Sequence, residues 1–273
     1  MNDITGKVVA ITGGAQGIGA ATAALLVSRG AKVGLGDLDL ELATATAKQL
    51  GPAAMASHLD VTQADSVSAF LDAVEGALGP IDVLINNAGV MFVGAFTKES
   101  EATTDLLIDV NVRGVINGCK AVLPRFEDRG HGHIVNVASM AGRVAPALLA
   151  TYSATKHAVI GLTDALRNEY SGAGIQVSAI MPNVVNTRLG SGTARNIVKP
   201  LEATDVAEVI AKVITTRQNQ SSVPPWLGPV SELLRPLGSR ARLRMEKLSG
   251  RDRTFAKGEL SKRRDYERDL LQR

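Results

Sequence analysis

With 273 residues the chain is long enough for one large domain with a sizeable core, and 45% hydrophobic and 21% charged residues exclude a disordered or collagen-like polymer. Aromatic residues make up only 3%, so Val, Ile, Leu and Ala must supply the burial, and stacking platforms for single-stranded nucleic acid are disfavoured. The net charge of +3 hides an asymmetry: the segment Gly238 to Arg273 holds twelve Lys or Arg against six Asp or Glu, which leaves −3 on the rest and makes basicity a property of the tail.

In chain order, short β-branched runs alternate with helical patterns, the signature of repeated βαβ units. Strands are expected at Lys7 to Thr12, Ala31 to Gly36, Ala54 to Leu59, Ile81 to Ile85, His133 to Val137 and Ile175 to Ile180, the last ended by Pro182. Helices are expected at Ile18 to Arg29, Leu40 to Leu50, Ala64 to Leu78, Thr103 to Phe126 and Tyr152 to Tyr170. Parallel strands need right-handed crossovers, so the fold class is α/β: a doubly wound, Rossmann-like parallel sheet whose ligands bind beyond the carboxyl ends of the strands. The expected division is a catalytic domain over 1–222 and an extension over 223–273, Pro-rich at first and then basic and helical.

The uncharged stretch Val8 to Ser28 is broken by Gly13, Gly14, Gly17 and Gly19, and reads as strand, turn and helix rather than a membrane span. No secretory signal precedes it, and the single cysteine, Cys119, reads as a buried hydrophobe in a reducing compartment, so a cytoplasmic location is expected.

The turn after the first strand, Thr12-Gly13-Gly14-Ala15-Gln16-Gly17-Ile18-Gly19, lets the backbone approach a pyrophosphate while the helix behind it offers unpaired N–H groups. About twenty residues on, Asp37 ends the second strand, where a carboxylate accepts from adenosine ribose hydroxyls and repels a 2′-phosphate. With no Lys or Arg at 14–16, 36 or 38 the reading is NAD rather than NADP, and Asp39 is left to cap the following helix. Further on, Tyr152 and Lys156 lie one helical turn apart and therefore on one face, and Ser139 follows a strand. A neighbouring ammonium should bring the phenol down from roughly 10 toward neutrality, making Tyr152 a usable base. His131 and His133 lack a third ligand at metal-binding spacing, so no metal site is expected.

These motifs, together with Asn86-Asn87-Ala88-Gly89, Asn111 in NVRG and the run Tyr152-Ser153-Ala154-Thr155-Lys156, resemble the short-chain dehydrogenase/reductase family over about Lys7 to Thr215. The resemblance implies that Tyr152 is the acid/base, that Lys156 binds the nicotinamide ribose and acidifies Tyr152, that Ser139 orients the substrate oxygen, and that Asn111 holds a water linking the site to solvent. It further implies cofactor contacts from Gly13, Gln16, Gly17, Ile18 and Gly19 around the diphosphate, from Asp60 and Val61 to the adenine, from Asn87, Ala88 and Gly89 beside the ribose, and from Pro182, Val185 and Thr187 near the carboxamide and phosphates. Asn183 departs from the pattern, since the family has glycine after this proline, and asparagine is among the residues that tolerate the positive φ a glycine turn can need.

Met91 to Phe96, Met140 to Leu149 and Asn183 to Val198 are the candidate substrate segments, and their apolar members point to a hydrophobic secondary alcohol or ketone. Arg143 and Arg188 are the candidate anchors for an acidic group. Interleaved acids in the tail favour a solvated helix, or an arm on a neighbouring subunit, over contact with a membrane surface. The resemblance implies a homodimer or homotetramer. The rival reading is a non-catalytic NAD-sensing protein on the same fold; a longer sugar-nucleotide epimerase fits this length poorly.

Overall fold

The computed structural model describes residues 3–190, 200–234, 263, 266–268 and 270. The substrate segment beyond Gly190 and the basic run from Gly238 to Lys262 lie outside the described residues. Seven strands among the described residues form one all-parallel sheet: β1 (Val8–Thr12), β2 (Lys32–Asp37), β3 (Ala54–His58), β4 (Val83–Asn86), β5 (Gly132–Val137), β6 (Ile175–Pro182) and β7 (Gln220–Val223). Their order is β3-β2-β1-β4-β5-β6-β7. The chain reverses its direction of winding between β1 and β4, so a crevice opens beyond the carboxyl ends of those two strands.

The helices are α1 (Gly17–Ser28), α2 (Leu40–Leu50), α3 (Ala64–Leu78), α4 (Glu101–Ile108), α5 (Gly114–Arg129), α6 (Ala141–Val144), α7 (Ala150–Glu169), α8 (Ala203–Thr216) and α9 (Leu227–Leu233). Alternation along the strands divides the aliphatic core in two. Val8, Ala10, Leu84 and Ile134 face α3, α5 and α7, while Val9, Ile11, Ile85 and Val135 face α1, α2 and α8. Cys119 is buried at 2% exposure in the first layer, and burial pushes its thiol up to about 12, which makes it inert. No helix among the described residues is long and apolar enough to cross a membrane.

Three differences from the sequence reading have physical causes. The single helix expected over Thr103 to Phe126 is interrupted by a π-helical turn at Asp109–Arg113, which swings Asn111 inward. Between Pro182 and the extension, where no element was expected, α8 buries an apolar stripe from Val206 to Ile214, and β7 follows, pairing Val223 with Pro182. The polar Gln220-Ser221-Ser222 gives β7 no hydrophobic alternation, and the sheet runs one residue into the segment assigned to the extension. Finally, Arg263 and Tyr266 are buried against their own chain, at 4% and 8% exposure, instead of being solvated or reaching away from it.

Candidate active site

The glycine turn is tied to the loop after β4. The Thr12 hydroxyl accepts from the amides of Asn87 and Ala88, both at 3.0 Å, and the Asn87 side chain donates to the carbonyls of Thr12 and Gly13 at 3.0 and 2.9 Å. A Cβ at Gly19 would sit 2.2 Å from the Gly13 carbonyl, so no other residue permits this closeness. Gly17 has φ of +59° and lies against the Thr187 methyl. Gln16 is the exposed N-cap of α1, Ile18 packs at the edge of the core, and the helix start carries neither a side-chain cap nor an acid in its first turn. Such an end leaves amide donors and a partial positive charge for an anion, which is what a diphosphate requires.

Asp37 accepts from the amides of Ala15 and Asp39 at 3.0 and 3.1 Å, so its carboxylate is aimed over the glycine turn and keeps acceptor capacity for ribose hydroxyls. Asp39 caps α2 through the Leu42 amide, as expected. Asp60 accepts from both the amide and the hydroxyl of Thr62 at Oδ1, which shapes the start of α3, and Val61 packs against α5 while its carbonyl receives Asn117. Pro182 ends β6, and its carbonyl accepts from the Met140 amide. Val185 bridges to Leu201 and accepts the amide of Thr187 at 2.9 Å. Asn183 is absent from the residues with positive φ, so the position does not demand glycine. Its amide instead donates to Val223 at 2.9 Å, joining the loop to β7.

On the other side of the crevice α7 presents Tyr152 and Lys156, at 6% and 4% exposure. Lys156 Nζ stands 5.9 Å from the centre of the Tyr152 ring and donates to the Val137 carbonyl at 3.0 Å. Ser139 stands beside the Tyr152 hydroxyl, close enough to favour its ionised form, and accepts from the Ala141 amide at 3.1 Å. A Cβ on Gly89 would lie 3.5 Å from Lys156 Nζ and 3.2 Å from Asn111 Oδ1, so the loop after β4 touches both groups. Asn111 is completely buried; its amide donates to Val90 and Thr155 and its oxygen accepts from the Val90 amide. Both side-chain donors of Asn111, the residue expected to hold a water, are thus spent on positioning Val90 and Thr155.

The electrostatics differ from the sequence expectation. Burial pushes Tyr152 up to about 12, opposed chiefly by the neighbouring Ser139 hydroxyl, and burial pushes Lys156 down to about 8. Desolvation of both groups thus outweighs the attraction that was expected to acidify the phenol.

Beside Tyr152, the buried residues Val90, Met91, Phe92, Leu107, Ala141 and Leu149 form an apolar cluster edged by Val93, Leu189 and Leu270. Two candidate substrate segments thus converge, although Phe96 is 67% exposed and faces away. Arg143 is no anchor for substrate: it is bonded to Glu232 and Gln220, fastening α9 to β7. Sequence reasoning missed the buried chain from Asn86 through Asn136 to Thr163, which links β4, β5 and α7. It also missed Thr155, and the Arg263 to Leu270 group, whose only signal was three apolar or aromatic side chains (Tyr266, Leu270, Leu271) among charges.

A family model described as short chain dehydrogenase matches residues 7–197. The 3-alpha-(or 20-beta)-hydroxysteroid dehydrogenase of Mycobacterium tuberculosis is 35% identical over 221 residues, covering 80% of this chain and 85% of that protein. D-threitol dehydrogenase of Mycolicibacterium smegmatis is 40% identical over 190 residues, covering 68% and 73%. The crystal structure of a 3-ketoacyl-(acyl-carrier-protein) reductase from Brucella melitensis complexed with NADH aligns with a TM-score of 0.76 and 30% identity, over 81% of this chain and 98% of that one. Agreement in sequence and in backbone over so much of each chain has one meaning: this protein belongs to the short-chain dehydrogenase family of oxidoreductases.

Proposed function

We propose that the chain is an NAD-dependent oxidoreductase moving a hydride to or from a largely apolar secondary alcohol or ketone, with Tyr152 as acid/base. The observation that carries this reading is the burial of Tyr152 and Lys156 together beside the half-buried Ser139, at one side of the crevice whose other side is the uncapped start of α1. NAD, when bound, supplies the hydride acceptor and, in its oxidised form, a positive charge on the ring. In oxidation Tyr152 Oη takes the alcohol's hydroxyl proton while the carbinol C–H bond breaks with its electron pair leaving as hydride; in reduction the phenol returns the proton to the carbonyl oxygen. Ser139 Oγ holds that oxygen in line. A Tyr152 held at about 12 by burial needs cationic neighbours to ionise, and the protein supplies Arg263, which draws it down, and Lys156, 5.9 Å from its ring.

The remaining cofactor roles follow position. Gly13, Gln16, Gly17, Ile18, Gly19 and Thr187 surround the diphosphate, Asp37 takes the adenosine ribose, and Asp60 and Val61 lie toward the adenine. Asn87, Ala88 and Gly89 wall the ribose, Pro182 and Val185 meet the carboxamide, and Lys156 reaches the nicotinamide ribose. Asn111 holds the water of a solvent relay through an acceptor oxygen, its side-chain donors being committed to Val90 and Thr155. Assembly as a homodimer or homotetramer through α4, α5 and α7 completes the reading, measurable by light scattering.

Oxidation requires the phenolate, so its rate should rise with pH, and Lys156→Met should move that rise to higher pH while the opposite reaction, which uses the neutral phenol, persists further into alkali. Relatives named for a hydroxysteroid and for a small polyol bracket the choice of substrate. NADH formation across sterols, aliphatic secondary alcohols and polyols, repeated with NADP, tests the reading: apolar alcohols with NAD should lead, and a lead for polyols or for NADP overturns that part of it.

A further inference from the structure

Arg263 comes from the most charged stretch of the chain, yet it is among the most deeply buried charged residues described. A guanidinium leaves water only when its donors are taken up and its charge is met. Nη1 donates to the Leu189 carbonyl at 2.6 Å, Nη2 donates to the Met91 carbonyl, and Nε donates to Glu267 at 2.8 Å. Met91 follows β4 and Leu189 follows β6, so one side chain joins two loops on the substrate side of the crevice. Glu267 adds a third tie by accepting the Val93 amide at 3.0 Å. The Tyr266 ring lies under the guanidinium, 4.7 Å from its centre, and its hydroxyl is near enough to the Met91 backbone for that peptide to favour the ionised phenol. Leu270 packs into the cluster of Met91, Phe92, Leu149 and Tyr152. Arg263 and Tyr266 both stand within electrostatic reach of the Tyr152 hydroxyl.

We propose that Arg263, Tyr266, Glu267 and Leu270 form the substrate-selecting wall of the chain's own active site: Tyr266 and Leu270 meet the substrate, and Arg263, neutralised by Glu267, is the positioning residue that holds them against the loops after β4 and β6. This rests on the activity proposed above and sharpens its substrate class. The pairing of Arg263 with Glu267 leaves no net charge from those two residues on the wall, and Arg188 is a further cation within electrostatic reach of Tyr266. What remains is an aromatic face, a leucine and one phenolic O–H donor. That surface suits an apolar ketone or alcohol carrying a second oxygen, at a distance from the reacting carbon that reaches Tyr266.

Reduction of methyl ketones of increasing length, and of the matching diketones, should be followed with NADH in the full-length protein. Arg263→Ala should raise KM about tenfold across both series with kcat within about threefold and NADH affinity unchanged, and Arg263→Lys should recover part of the loss. Tyr266→Phe should raise KM for diketones only, by about tenfold, and Leu270→Ala should move the preferred chain length upward. Unchanged KM values and an unchanged length order in these variants overturn the proposal, as does a loss of NADH affinity that parallels KM in Arg263→Ala. A readout independent of turnover is hydrogen exchange at the Val93 amide, which should quicken in Arg263→Ala. Should the wild-type protein reduce no ketone and oxidise no alcohol, the proposed activity falls by itself, and unchanged Val93 protection in Arg263→Ala then overturns the wall.

Discussion

The two sides of the crevice are built in opposite ways. The cofactor side is local: β1, the glycine turn, α1 and Asp37 lie within thirty residues and need only the Asn87 loop to lock them. The substrate side is assembled from Met91, Leu149, Leu189, Arg263 and Leu270, which are far apart in sequence and share no motif. A local site is set by backbone geometry and tolerates little change at single glycines, whereas a dispersed one is set by side-chain packing and can be retuned piecemeal.

Four substitutions should break or sharpen that contrast. Tyr152→Phe, at the boundary of the two sides, should cost about 10³-fold in turnover while leaving NADH binding nearly intact, read by steady-state kinetics against a fluorescence titration. Retained turnover would remove Tyr152 from the chemistry. Gly19→Ala places a methyl 2.2 Å from the Gly13 carbonyl and should weaken NAD binding by about 2 kcal/mol while the apolar cluster around Tyr152 stays packed, checked by NAD titration and thermal melting. Asp37→Ala should lower the preference for NAD over NADP by about tenfold, and an unchanged ratio of kcat/KM would show that ribose recognition lies elsewhere.

The smallest effect concerns the end of the sheet away from the crevice. His133 Nε2 hydrogen-bonds Ser178 at 2.8 Å, and Ser178 in turn donates to the Gln218 carbonyl, so the neutral ring is the donor toward Ser178. Burial lowers the imidazole from 6.5 to about 3 in the folded chain. Between those values the unfolded chain binds a proton that the folded one refuses, so stability falls as pH drops below about 6.5. At pH 5.5 the loss from this residue should be about 1 kcal/mol, and His133→Gln should remove it from the pH dependence of urea unfolding.

Legibility in the sequence followed the same division. The strand runs, the glycine turn, Asp37 with Asp39 as the helix cap, and the one-turn spacing of Tyr152 and Lys156 are short-range patterns, and each falls in the crevice where the doubly wound order puts it. The extent of burial around Tyr152 is a property of the packed molecule, and for that reason the direction of its pKa was misjudged. β7 is four residues without an apolar rhythm, and Arg263 looks like any other arginine in a charged tail until its carbonyl partners, more than seventy residues away, are seen. At Asn183 the departure from the family's glycine costs no strain, because the residue bonds to Val223 in ordinary backbone geometry, a partner that no local pattern announces.

The π-helical turn at Asp109–Arg113 amounts to one surplus peptide in an otherwise regular rod running from α4 into α5. Deleting a residue there would let the rod close up as an ordinary helix, with Leu107 and Val115 still directed into their respective clusters. Asn111 alone would be carried away from Val90 and Thr155. Foldedness and competence would then part company at a single amino acid: a shortened chain with native melting behaviour and a slack floor beneath its lysine.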